Sequence, residues 1–134
     1  LLAGRYTLLE QTSLDFLDYC QQHQISVVLG GVYNSGILVT GPTAEAKFNY
    51  RAAPEPILEK TRQLKAITDH HGVPLHVAAY HFARSHPAIT GLIIGSVNPS
   101  EAEDNRAIWD VEIPAQLWAD IRAVGLVEAD APMP

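Results

Sequence analysis

Apolar positions in this chain come in short unbroken runs that alternate with stripes at helical spacing. The clearest run is Ile25 to Leu29, β-branched and almost wholly apolar, closed by Gly30-Gly31, a pair that lets backbone approach something closely. Leu1 to Leu9 predicts a second strand with its following loop, and Thr90 to Ile94 a third. Between and after them lie helical patterns. Ser13 caps a helix through Gln22 with Leu14, Leu17 and Cys20 inward. From Pro54 an apolar stripe of Ile57, Leu58, Leu64, Ala66 and Ile67 runs to Gly72, with Glu59, Lys60, Arg62, Lys65 and Asp69 outside it. Pro74 opens another helix, containing Val77, Ala78, Tyr80, His81 and Phe82, that stops at His86-Pro87, since the residue before proline is pushed off helical dihedrals. Asn98 to Trp109 and Pro114 to Val124 are the last two, the second carrying Leu117, Trp118 and Ile121. Val32 to Pro54 is rich in Gly, Pro, Asn and Thr and long for a connection, as functional or mobile loops are. The tail from Glu128 to Pro134 is expected to fray.

Strands apolar on both faces, alternating with helices, predict an α/β fold with a parallel sheet covered by helices. About three strands are visible, and an open parallel sheet that small leaves long apolar edges that intact proteins pair or cover. The pattern therefore reads as one partial domain over residues 1–134, a piece of a larger fold that could associate through its open edges.

Composition narrows the class. The chain has 134 residues, 47% of them hydrophobic, and a net charge of −6, which excludes a basic nucleic-acid surface. No apolar run is long enough for a bilayer and no signal-type segment opens the chain, so a soluble, cytoplasmic protein without a membrane partner is expected. Cys20, the single cysteine, forms no internal disulfide and reads as a packed thiol. His70, His71, His76, His81 and His86 point in different directions on their helices, so no metal site is expected. Tyr80 and Phe82 read as packing residues, Trp109 and Trp118 as core or edge filling, and Arg51 as solvent-facing.

The stretch from Gly91 to Asn105 carries the most chemistry. A short apolar strand passes through Gly95-Ser96-Val97-Asn98 into a helix start, with Asn98 as N-cap, Pro99 in the first helical position, and Ser100, Glu101 and Glu103 suited to the positive end of the dipole. The first N–H groups of such a helix lack intrahelical partners, and a ligand phosphate can take them. The pattern alone leaves two readings open, a phosphate cradle or an ordinary capped helix.

Three segments in order, Leu2-Ala3-Gly4-Arg5-Tyr6-Thr7-Leu8-Leu9-Glu10-Gln11, Gly30-Gly31-Val32-Tyr33-Asn34-Ser35-Gly36-Ile37-Leu38 and Ile93 to Asn105, cover nearly the whole chain. Together they resemble the C-terminal part of an aldo-keto reductase, in the branch of sugar and pyridoxal dehydrogenases. The resemblance implies that the chain is the C-terminal portion of a (β/α)8 barrel, a fold of about 250 residues with its ligand at the carboxyl ends of the strands. It implies an NAD(P)-dependent oxidoreductase of a sugar, aldehyde or alcohol. The Asp, Tyr, Lys and His set that moves the proton would lie outside this chain, which alone would be inactive. Tyr6, Tyr33, Lys60, Lys65 and His81 match other parts of the barrel and do not replace that set.

Carried over by position, Ser96, Val97 and Asn98 match the turn that meets the adenosine phosphate, and Asp104 and Asn105 the pair that contacts the adenine. Gly30 and Gly31 match the strand end beside the nicotinamide, where relatives often stack an aromatic ring that Gly30 cannot supply. Asn34, Ser35 and Gly36 match the loop over the pyrophosphate, and Tyr33 with the loop to Pro54 would line the substrate pocket. Relatives selective for a 2′-phosphate place a lysine and an arginine where this chain has Gly95 and Glu101. A carboxylate repels phosphate and accepts from a ribose hydroxyl, so NAD is expected over NADP, with Arg106 nearby as the one opposing charge. The competing class is a non-catalytic barrel remnant that binds nucleotide weakly or assembles with other chains.

Overall fold

The computed structural model describes all 134 residues. Three parallel strands, β1 (Leu2–Ala3), β2 (Val27–Gly30) and β5 (Ile89–Ile93), form a sheet in the order β1-β2-β5. Leu2, Leu29 and Leu92 lie opposite one another in one row, and Ala3, Gly30 and Ile93 in the next, so alternate rows face opposite sides. The register slips between Val27 and Val28, which leaves Thr90 unpaired as the extra residue.

Helices connect the strands. They are α1 (Leu14–Gln22), α3 (Glu55–His70), α4 (Leu75–Ala83), α5 (Pro99–Ala107) and α6 (Ala115–Ala123), with a single-turn α2 (Ile37–Thr40) and 3-10 turns at Asn34–Gly36 and Ile108–Asp110. Leu17 of α1, Leu64 of α3, Phe82 of α4 and Leu117 of α6 share one core with Leu29. Cys20 is buried in it, as is Trp118. Only that face of the sheet is covered. Val28 is 38% and Ile93 55% exposed on the other. The cause is handedness: parallel crossovers of one hand set successive helices on the same side of the strands.

Several local expectations also change. Ser13 precedes α1, but its side chain makes no cap hydrogen bond. The inward face of α3 keeps Ile57, Leu58, Leu64 and Ile67 against the core and adds Thr61 and Thr68, while Ala66 faces solvent. Both threonines satisfy their hydroxyls on the helix's own carbonyls, Thr61 at 2.7 Å from Ile57 and Thr68 at 3.1 Å from Lys65, which lets a polar residue take a core position. Helix α4 ends at Ala83 rather than at His86-Pro87. His86 instead turns into the core, fully buried, its Nδ1 accepting the Ala88 N–H at 3.1 Å and its Nε2 lying 3.1 Å from Asp18. Trp109 is 54% exposed, not core, and carries the Arg84 guanidinium 3.6 Å above its ring.

The long Val32–Pro54 connection is not structureless. Ile37 and Leu38 are fully buried and pin α2, and a two-stranded hairpin, β3 (Lys47–Phe48) with β4 (Arg51–Ala52), folds back on it. Arg51 is exposed there. The tail, expected to fray, makes specific contacts. Ala131 is 1% exposed, the Ser85 hydroxyl donates to the Pro132 carbonyl at 2.7 Å, and Arg122 donates to the Ala131 carbonyl at 2.7 Å. Those bonds tie a proline-rich segment that has few partners of its own. No helix is long and apolar enough to cross a membrane.

Removing residues 128–134 should therefore lower stability by about 1–3 kcal/mol, the net worth of the two hydrogen bonds together with the buried alanine. Urea unfolding followed by circular dichroism checks this; an unchanged midpoint would mean the tail contributes nothing.

Candidate functional site

The turns that leave the carboxyl ends of the strands build two cavities. The first lies against α5. Asn98 caps this helix, its Oδ1 accepting the Glu101 N–H at 2.9 Å, and Glu101 reaches back, Oε2 accepting the Val97 N–H at 3.0 Å and Oε1 the Asn98 amide at 3.1 Å. This reciprocal box satisfies two of the N–H groups at the helix start without any ligand. One turn on, Asn105 Nδ2 donates to Ser96 Oγ at 3.1 Å and ties the helix to the turn before it. Gly95, Glu101, Asp104 and Asn105 line a cavity of about 210 Å³, and Tyr33 and His76 close it. Val97 does not: its side chain is 89% exposed, and Ser96 and Asn98 act by holding Asn105 and Glu101.

The second cavity, about 160 Å³, sits over the ends of β1 and β2. Its floor is Ala3, Gly4, Gly30 and Gly31, and Asn34, Ser35 and the hairpin tip at Asn49 and Tyr50 wall it. Gly31 has φ +68, and a Cβ there would stand 3.2 Å from the Gly4 nitrogen, so the two turns meet closely because Gly31 lacks a side chain. Asn34, Ser35 and Gly36 follow with φ of 47, 60 and 95, three consecutive left-handed residues of which two are not glycine. Such a run persists only where neighbours hold it. Asn34 Nδ2 donates to Glu10 Oε1 at 3.1 Å, Arg5 donates to Glu10 Oε2 at 3.2 Å, and Ser35 Oγ accepts the Tyr50 N–H at 2.9 Å. Gly36 lines neither cavity and serves the turn.

Two buried side-chain polar atoms in the whole chain lack a partner, Tyr33 Oη and Asn34 Oδ1. Each belongs to a residue that lines one of these two cavities. A larger hollow of about 420 Å³ between α2, α3 and α4, lined by the exposed Lys65–Asp69 pair and by His76, holds no unpartnered buried group, so size does not mark the site. Burial, with the Tyr80 phenol adding to it, pushes the Tyr33 hydroxyl up to about 12. It is a neutral hydrogen-bonding group, not a proton donor poised near neutrality. Burial lowers His76, with Asp104 opposing, and lowers His81, whose ring nitrogen lies 3.0 Å from the Ile108 carbonyl. His71 pairs with Asp120 at 2.7 Å, and no three metal-ligating side chains converge. Lys60 donates to the Leu9 carbonyl at 3.0 Å, a structural use of its ammonium.

The site residues read from sequence thus divide into two groups, α5 with its turn and the Gly30–Gly36 turn, with Tyr33 and Asn34 facing different cavities. Sequence reasoning did not single out Glu10, Arg5, Tyr50 or His76, which line these cavities or hold their walls, and Tyr33, expected beside a substrate pocket, lines the α5 cavity. The only sequence signal for Glu10 and Arg5 is their position in the loop after β1.

Residues 1–125 match the profile of the Aldo/keto reductase family. The chain belongs to that family. Among curated aldo-keto reductases and related dehydrogenases, it is 39% identical over 128 residues to pyridoxal 4-dehydrogenase of Microbacterium luteolum, covering 95% of this chain and 37% of that protein. It is 31% identical over 129 residues to D-threo-aldose 1-dehydrogenase of a Pseudomonas species, covering 95% and 39%. The fold matches the holo form of an aldo-keto reductase from Bacillus halodurans with a TM-score of 0.70 at 22% identity, over 96% of this chain and 43% of that one; the apo form gives 0.69. The chain spans about two fifths of the length of the relatives it matches. This aldo-keto reductase segment is accordingly a portion of a (β/α)8 barrel with parallel strands and no closed barrel of its own.

His76 and His81 are both held below the unfolded value of 6.5, so the unfolded chain binds more protons as the medium acidifies. Their contribution to stability is complete above that pH and is lost as pH falls through the lower folded values. Urea midpoints measured from neutral pH down to about pH 5 should decline, and His76→Gln should decline less steeply. An identical slope in both would remove His76 as a contributor.

Proposed function

We propose that residues 1–134 form the dinucleotide-gripping part of a nicotinamide-dependent oxidoreductase, acting in the cytoplasm on a sugar or on an aldehyde or alcohol. The observation that carries this reading is the α5 cavity, where Gly95, Glu101, Asp104 and Asn105 meet an unpartnered Tyr33 hydroxyl. Asp104 and Asn105 present an acceptor and an amide to the edge of an adenine, and the buried phenol is left to donate or accept there. Ser35 walls the second cavity with Gly36 next to it, and their backbone would carry the pyrophosphate. When bound, a nicotinamide dinucleotide supplies the hydride acceptor or donor. The side chains in this segment bind and orient it, and the proton-transferring set lies outside residues 1–134.

NAD fits better than NADP. No lysine or arginine lines the α5 cavity at Gly95, and the Glu101 carboxylate forms part of its wall. A 2′-phosphate would meet that carboxylate, whereas a 2′-hydroxyl donates to it. Arg106 lines a different hollow with Tyr80, Trp109 and Asp110 and does not relieve the repulsion. The relatives' names, a pyridoxal and a D-threo-aldose dehydrogenase, point to a polyhydroxylated or aldehyde-bearing substrate class. The bare sheet face with Val28 and Ile93, and the free edges of β1 and β5, suit completion by further strands.

Calorimetry on the intact protein tests the reading. Asn105→Ala or Ser96→Ala should weaken NAD and AMP roughly three- to tenfold, the worth of one or two hydrogen bonds. NAD should bind more tightly than NADP, and Glu101→Arg should narrow or reverse that order. Coenzyme affinity untouched by the first two replacements would overturn the site, and tighter NADP would overturn the preference.

A further inference from the structure

His76 borders two hollows at once. It closes the α5 cavity of about 210 Å³ and also lines the larger hollow of about 420 Å³ against α3, so the two spaces share this imidazole and Val39 as a wall. The backbone there is pinned, because Leu75 and Val77 on either side are buried.

Few charges surround the ring. From α3, Lys65 and Asp69 line the larger hollow, and at 2.6 Å they offset each other. The turn after β2 contributes the Tyr33 phenol, which burial keeps neutral. Helix α5 contributes Glu101 and Asp104. Glu101 already accepts the Val97 N–H and the Asn98 amide, so Asp104 is the carboxylate left to draw a proton onto the imidazole. On the same helix as His76, His81 is turned to the Ile108 carbonyl at 3.0 Å. Burial holds His76 below its ordinary value, with Asp104 opposing. Those two influences decide when the ring is charged.

A ligand in the α5 cavity tips their balance one way. It displaces water from the open side of the imidazole, which makes the charged form more costly. An adenine amine donating to Asp104 also occupies the lone pairs that an imidazolium would draw on. Both effects favour the neutral ring, which still offers one N–H and one lone pair.

We infer that the adenosine end of the coenzyme and a proton on His76 oppose one another, so that the protein releases its coenzyme as the medium acidifies. This deepens the function proposed above and rests on it. By linkage, the ligand weakens the proton's hold as much as the proton weakens the ligand's. Affinity is therefore complete above the ordinary value of 6.5 and falls as pH drops through the lower folded value.

NAD is the suitable probe, since its pyrophosphate has no group titrating near neutrality, whereas a phosphate monoester such as AMP loses its second proton at about pH 6. Calorimetry on the intact protein should show NAD affinity falling roughly three- to tenfold from about pH 7.5 to about pH 5. At about pH 6 the binding heat should vary with the ionisation enthalpy of the buffer, which counts the proton released. His76→Gln, polar but without a titrating group, should flatten both readings, with the urea midpoint measured alongside. In the unaltered protein, the His76 imidazole followed by NMR should give up its proton at lower pH with NAD than without. An identical pH dependence in His76→Gln, a dependence lost only in His81→Gln, or a His76 titration unmoved by bound NAD would overturn the inference. NAD affinity that ignores Asn105→Ala at every pH would instead remove the adenosine site, and this inference with it.

Discussion

Strand β2 is the one strand with neighbours on both sides, and its parallel pairing with β1 and β5 is the constraint from which the rest of the structure follows. Parallel neighbours cannot be joined by a tight hairpin, so each connection must travel the length of the sheet and return. Helices fill those returns. The turns leaving β1, β2 and β5 therefore all emerge at one end, and Gly4, Gly31 and Gly95 are brought to that end from three distant parts of the chain. A one-residue slip of β2 would send Leu29 to the bare face and Val28 into the helices, destroying the core and the convergence together.

The polar groups at that end are organised in a second layer of constraint. The left-handed run from Asn34 to Gly36 is held by Glu10 on one side and by the Tyr50 N–H on the other. Helix α5 is held differently. It buries no residue of its own, and its anchors are the Asn98–Glu101 box, the Ser96–Asn105 bond and Ile108 just beyond its end. An element with so few apolar contacts opens at low cost compared with α4, which is buried along most of its length.

Much of the architecture was legible in the residues. The apolar runs at Ile25–Leu29 and Thr90–Ile94 located two strands to within a few residues, proline and glycine punctuated α3, α4 and α6, and the Asn98-to-Glu101 spacing announced a capped helix start. Errors arose where a neighbour distant in sequence supplied what the local pattern lacked. Thr61 and Thr68 are polar by type yet core by position, because their hydroxyls close on the helix's own carbonyls. Residues 128–134 look featureless, but Ser85 and Arg122 hold them. Ser13 has the right type and place for a cap and makes no cap bond.

By itself the sequence determined which surfaces had to be buried and that the strands run parallel with helices between them. These are properties of local composition and period, and they do not depend on who the neighbours are. Only the tertiary structure decided that Tyr33 faces α5 while Asn34 faces the ends of β1 and β2, that Glu10 orients Asn34 across 24 residues, and that one sheet face stays bare. The physical reason is that hydrogen-bond pairing and burial are settled between elements: the orientation of an amide or the solvation of a phenol depends on atoms that chain order does not bring together.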